Sequence, residues 1–415
     1  MTDTPLDDAV ARLAEDVFPV IDAIRAEPHR VPMKVGTSAL WLTFTRAVFN
    51  SVALEPARLA TKNDGVIGPA VRDSQMYQAT AFGSAEVLRA DVLPVQLVRA
   101  SCIELLVRGQ ALTATGLAEA TVRNTATLRA GLAGDEIEGW SLTAFSAPAL
   151  TPGSAVRTPW GDLLGVDRLT GEIWNDPPGS CTAVLATPIR SKFEPIAPGH
   201  LLPGTFGAEA YRIAQLVSYG IALGTDPEDP ATAVPLHTSG LLPWGVPGWG
   251  GEVRTPGLTS RATPLTANEG DEAARWMADL GGVSIERIQV ALRRLIRALA
   301  ERADHQDQLI DAVIAWENLV EHRERPTGSV LWGMRELAGP AGWSKTRIGD
   351  IYKNRSDIVH GEPPNHEHVM KHAPEAIRIG LDALRALIVS HPDTLIMNSE
   401  ERVIALGYSV PEPAP

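Results

Sequence analysis

The sequence predicts an α+β protein, with a mixed, β-containing N-terminal region followed by an all-α bundle. Three observations carry this expectation. Residues 140 to 190 alternate short apolar runs with turn signals. The stretch from Pro227 to Pro264 holds seven prolines and six glycines. Beyond about Ala267 the composition turns to helix formers punctuated by stops. A chain of 415 residues is too long for one simple core. The expected divisions are an N-terminal region over 1–225, a Pro/Gly-rich linker over 226–266, a helical bundle over 267–395 and a C-terminal tail over 396–415.

Taken in order, the first element is a helix. Thr4 can cap it, Pro5 suits its first position, and Asp7 and Asp8 favour the positive end of its dipole. Leu6, Val10, Leu13, Val17, Ile21 and Ile24 fall on one stripe. Residues 30 to 135 mix helix-like stretches with short extended runs. Trp160-Gly161-Asp162 and Thr170-Gly171 then mark turns, and Cys181 to Ile189 reads as a buried strand. A helix follows near Phe206 to Leu223. Asp226 to Pro230 reads as loop, and Trp244 to Gly251 as an irregular segment packed on a domain. In the last third, Gly281-Gly282 ends one helix and Ser284 caps the next, with Ile285, Ile288, Leu292, Leu295 and Leu299 inward. Asp304 caps a third helix, with Leu309, Ala312, Val313, Trp316 and Val320 inward. Pro326 and Gly339-Pro340 break the chain. A helix from Ser344 to His360 stops at Gly361, and Asn365 caps the last one.

The formal charge of −13 argues against a surface that coats duplex nucleic acid or anionic lipid over a wide area. A small basic pocket on an acidic body remains compatible with it. Cys102 and Cys181 sit in apolar contexts without metal-ligand spacing and read as buried, reduced thiols. The acidic start Met1-Thr2-Asp3-Thr4 is unlike a signal peptide, and no apolar run approaches a membrane span. The expected location is the cytoplasm, with no membrane partner.

The segment Ile351 to Gly361 carries the most chemistry. On a helix, Ile348, Tyr352, Arg355 and Val359 share one stripe, so Arg355 takes a slot where an apolar side chain is expected. A guanidinium there must meet a carboxylate, a partner subunit or an anionic ligand, because burying it alone is costly. Ser356 and His360 share the adjacent flank, and His360 stands at the helix end.

The wording Asn354-Arg355-Ser356-Asp357-Ile358-Val359-His360-Gly361 resembles the signature of the HEPN ribonuclease family, and within it the Apea-like branch. Ala315-Trp316-Glu317-Asn318-Leu319 is similar to that branch's helix with an inward glutamate. Leu331-Trp332-Gly333-Met334-Arg335 is similar to its arginine-bearing helix. The resemblance covers roughly Ala267 to Ser390. It implies a HEPN bundle that pairs as a homodimer, bringing two Arg–His sets into one cleft, and that cuts RNA with neither metal nor cofactor. It implies a role in bacterial antiphage defence, with the N-terminal region sensing a phage or host trigger or selecting RNA. Arg355 and His360 would be catalytic, with Glu317, Asn354 and Ser356 in support. Imidazole suits proton transfer to and from an RNA 2′-hydroxyl and its leaving group, and guanidinium suits the phosphoryl oxygens.

Other readings stand beside this one. Glu317 can pair with Arg355 inside a non-catalytic module for dimerisation or RNA binding, while His360 caps its helix. An enzyme housed in the N-terminal region would show itself as a pocket lined by convergent charged groups. His368 and His372 have i, i+4 spacing suited to zinc but no evident further ligand, so with His366 they read as a solvated helix start. Arg287, Arg293, Arg294 and Arg297 read as a solvated face or an RNA track.

Overall fold

The computed structural model describes residues 4–26, 39–81, 85–147, 150, 154–165, 181–197, 206–241, 248–252, 264–363 and 365–409. The expected Thr170-Gly171 turn, the side chain of Ile24 and residues 244–247 lie outside the described residues. The fold is α+β: helices and antiparallel sheets come first, and residues 267–405 are all helical.

Two compact units make up the chain. One comprises Met1–Ala214 with Pro235–Arg254, and the other Gln215–Val234 with Thr255–Pro415. The boundaries expected from the sequence stood at 225 and 266. Within the expected linker, residues 234–241 and 248–252 are strands. In those strands Pro235 stands near the start of one, and Gly248, Gly250 and Gly251 lie in the other, an edge strand.

In the first unit, α1 (Pro5–Ala26) begins where its capping residues place it, with the Asp7 amide donating to Thr4 Oγ1 at 3.3 Å. Leu6, Val10, Leu13, Val17 and Ile21 are all buried on its inner stripe. Helices α2 (Ala39–Asn50), α3 (Leu54–Asn63) and α4 (Ile67–Arg72) follow, then α5 (Leu93–Val107) and α6 (Ala114–Leu132). The helices α1 and α6 are pinned by Arg129, whose guanidinium donates to Asp7 Oδ1 and Asp64 Oδ2, both at 2.8 Å, and to Thr4 Oγ1 at 2.6 Å.

Strands β1 (Met76–Ala79), β2 (Ala85–Val87) and β7 (Phe193–Pro195) form a small sheet in the order β2-β1-β7. The larger sheet runs β4-β5-β6-β3-β8-β9. It is built from β3 (Ile137–Ser146), β4 (Ala155–Thr158), β5 (Gly161–Gly165), β6 (Ala183–Ser191), β8 (Val234–Leu241) and β9 (Gly248–Glu252). The Trp160-Gly161 signal is the β4–β5 hairpin turn, and the strand expected over Cys181 to Ile189 is β6. Cys102 and Cys181 are buried and not in a disulfide.

The second unit holds α8 (Ala267–Gly282), α9 (Gln289–Ile296), α10 (His305–Val320), α11 (Pro326–Ala338), α12 (Lys345–Val359), α13 (His366–Ser390) and α14 (Ser399–Ala405); the division between units falls within α7 (Phe206–Gly224). The fully buried Trp316 of α10 donates from Nε1 to the Ala376 carbonyl of α13 at 3.1 Å. Three expectations change. Ser284 does not cap α9, whose N-cap is Ile288, because residues 286–288 form a turn before the helix begins. Arg294 is not on a solvated face: it and Arg302 both bind Asp311, which is 2% exposed. The expected tail contains a docked helix, α14, held by a capping box between Asn398 and Glu401 and by the buried Arg402 and Val403. No helix among the described residues is long and apolar enough to cross a membrane.

Candidate active site on the C-terminal bundle

Helix α12 presents the motif. Ser344 caps its start by accepting from the Arg347 amide at 3.2 Å. Its end is set at His360, the C-cap, by Gly361, whose φ of +83° is left-handed and favours glycine. Ile348, Ile351 and Tyr352 are buried, and the stripe then runs out: Arg355 is partly covered and Val359 is 53% exposed.

The expected carboxylate partner of Arg355 is there. Arg355 Nη2 donates to Glu317 Oε2 at 2.9 Å, and Tyr352 donates from its hydroxyl to Glu317 Oε1 at 3.2 Å. The two charged side chains keep 18% and 16% of their surface, so the pair lies at the rim of the bundle. Burial pushes the Glu317 carboxyl above the usual carboxylate range, while the Arg355 charge pulls it back. Burial likewise raises the Tyr352 phenol, with the neighbouring Glu317 charge adding to it. Arg355 Nε is buried without a hydrogen-bond partner. Nε is closed off from solvent, so an anion beside Glu317 would be met by the Nη donors that the Glu317 bond leaves over.

His360 stands exposed at the end of the same helix. Five residues of helix turn it about 140° from Arg355 and carry it about 7.5 Å along the axis. One chain therefore does not offer both groups on one face. Ser356 is half-buried beside them. Asn354 is turned toward α13, its amide 3.2 Å from His372 Nδ1. Arg335 is exposed on α11.

The α13 contact corrects the expectation of a solvated histidine start. His366 and His368 are exposed, but His372 is 5% exposed. Its Nε2 lies 2.9 Å from Arg347 Nη1, and Arg347 also pairs with Glu375. An arginine only donates, so Nε2 accepts and the neutral ring carries its proton on Nδ1. The Asn354 amide, drawn with Nδ2 toward Nδ1, must be turned over to bring its oxygen there as the acceptor that proton requires. Burial, then the Arg347 charge, lowers the His372 pKa. A base lowered on folding gives stability that is present above its unfolded value, near ~6.5, and is lost as pH falls through the folded one. The wild-type chain is expected to lose thermal stability on acidification below that point, and His372→Gln to flatten the loss. A melting series across pH checks this, and identical slopes in both proteins would refute it. No group of three or more His, Cys, Asp or Glu that could hold a metal occurs among the described residues.

Comparison with family models, with curated proteins and with solved structures finds no match for this chain. The pairing of Glu317 with Arg355 was signalled in the sequence by an arginine in an apolar slot and a glutamate on the flank of another helix. The Arg347–His372–Glu375 cluster carried no such signal, since its members are 25 and 28 residues apart and each is ordinary alone.

Proposed function

We propose that the chain is a metal-independent endoribonuclease that works as a homodimer, with Arg355 and His360 as its catalytic residues. The observation that carries the proposal is the state of Arg355: oriented by Glu317 and at the bundle rim, with His360 exposed at the same helix end. The resemblance of residues 354–361 to the HEPN signature supports it.

In the proposed reaction an imidazole takes the proton of an RNA 2′-hydroxyl. The 2′-oxygen attacks the adjacent phosphorus and the bond to the 5′-oxygen breaks. The leaving oxygen takes a proton from the second copy's imidazolium, giving a 2′,3′-cyclic phosphate and a 5′-hydroxyl end. Arg355 binds the phosphoryl oxygens as charge builds on them. Because Arg355 and His360 diverge around one helix, two copies are what would supply both groups to one phosphate. Antiphage defence, through RNA cleavage on a trigger, is the role the resemblance attaches to this chemistry.

A second reading has its own observation. Arg355 is already ion-paired within the chain and His360 faces outward alone, as in a module that binds RNA or assembles without cutting. Cleavage of mixed RNA in EDTA, with the ends analysed and the oligomeric state measured in the same buffer, separates the two. Cyclic-phosphate ends from a dimer are the expected result. A chain that binds RNA without ever cutting it supports the module.

A further inference from the structure

A cleft of about 440 Å³ opens in the first unit between the end of α5 and one face of the larger sheet. The strand register explains its composition. Trp140 of β3 stands opposite Pro188 of β6, Ala186 of β6 opposite Asp162 of β5, and Asp162 opposite Arg157 of β4. Side chains two apart on a strand share a face, so these residues line one surface. Its floor is made by small or flat residues, Ala186, Pro188 and Gly161. The floor cannot be filled at Gly161: its φ is +153° and a Cβ there would come 2.0 Å from the Ala186 carbonyl oxygen.

The walls are aromatic and cationic. The Arg108 guanidinium lies 5.3 Å from the centre of the Trp140 ring, within cation–π range. Arg108 donates to Glu104 Oε1 at 2.9 Å, but Arg123 shares the same oxygen at 3.3 Å, so one buried carboxylate serves two guanidiniums. Across the floor, Arg157 is 92% exposed and lies 3.8 Å from Asp162. The lining thus holds two arginines against one aspartate, a cationic spot on a chain of charge −13. Gln110, also in the lining, adds an amide able to read a polar ring edge.

We propose that this cleft binds a nucleotide, either free or as one unit of a single strand. The base stacks against the Trp140–Arg108 pair, Gln110 meets its edge, and the phosphate reaches Arg157. Stacking on an aromatic face beside arginine is tolerant of base identity, so the site selects base-plus-phosphate rather than a sequence. The proposal does not depend on RNA cleavage.

The test is calorimetric titration of the intact chain with a nucleoside monophosphate, with the bare nucleoside, with inorganic phosphate, and with a short single-stranded oligodeoxynucleotide that lacks the 2′-hydroxyl and cannot be cut. The nucleotide is expected to bind at least ~10-fold more tightly than either of its parts. Arg157→Gln, at an exposed position that leaves folding intact, is expected to weaken binding ~10-fold, and Trp140→Leu by a similar factor. Tighter binding of the oligodeoxynucleotide than of the monophosphate, lost in Arg157→Gln, assigns the site to a strand; the reverse order assigns it to a free nucleotide. Absence of nucleotide binding, or binding indifferent to Arg157→Gln, overturns the proposal.

Discussion

Replacing His360 by alanine is expected to lower RNA cleavage by ~10²–10⁴-fold, the range that proton transfer by a positioned side chain contributes. The same substitution is expected to leave thermal unfolding unchanged, because His360 is exposed and its helix is stopped by Gly361 whatever stands before it. Arg355→Ala should differ in kind. It removes a charge-stabilising donor, an effect of ~10²–10³-fold on the rate. It also leaves the half-buried Glu317 carboxyl with only Tyr352 and lowers stability. Arg355→Lys keeps the charge but loses the planar fork and is expected to recover stability better than activity. Initial rates on one RNA, alongside melting curves for all three variants, check the set. Full activity in folded His360→Ala would remove this residue from the chemistry.

What could be read in the sequence follows how local each signal was. Helix starts and stops written in caps and breakers were legible: Thr4 with Pro5, Asp304, Ser344, Gly361 and Asn365 all act where they were expected. The partner of Arg355 was legible for a different reason, since a cation in an apolar slot demands a counter-charge wherever the chain can supply one. Features decided by long-range pairing were not legible. The proline- and glycine-rich stretch after residue 226 reads as linker until β8 and β9 are seen at the end of a sheet whose other strands lie far earlier in the chain. Likewise His372 reads as part of a solvated helix start until Arg347 and Asn354 come to it from α12. The nucleotide-sized cleft belongs to the same class: Trp140 and Arg157 are ordinary in sequence and share a face only through three antiparallel pairings.

Arg402 shows the same limit at its sharpest and carries the largest expected effect on stability. It lies in the stretch expected to be a C-terminal tail, yet its residue exposure is 0%. Its guanidinium donates to four carbonyls: Nε to Thr394 at 3.1 Å, Nη1 to Leu319 at 2.7 Å and Asn318 at 3.3 Å, and Nη2 to Met397 at 2.6 Å. Two of these belong to the last turn of α10, the helix that also carries Glu317, so a cation closes the negative end of that helix dipole. Burial pulls the Arg402 pKa down to about 10, which still leaves it charged at neutral pH. A base lowered on folding changes stability only between its folded and unfolded values, here at alkaline pH, so its contribution is constant from about pH 6 to 8. Arg402→Met keeps the length of the chain, removes all four charge-assisted bonds and strands their carbonyls. The expected cost is ~3–5 kcal/mol, less than the sum of four separate bonds because they share one group. Arg402→Lys can reach fewer of the four and should fall between. Urea unfolding of the three proteins at two neutral pH values reads both points. A midpoint unchanged in Arg402→Met would mean that α14 is held by its apolar contacts alone, and a deficit that varied between those pH values would mean that another group titrates with it.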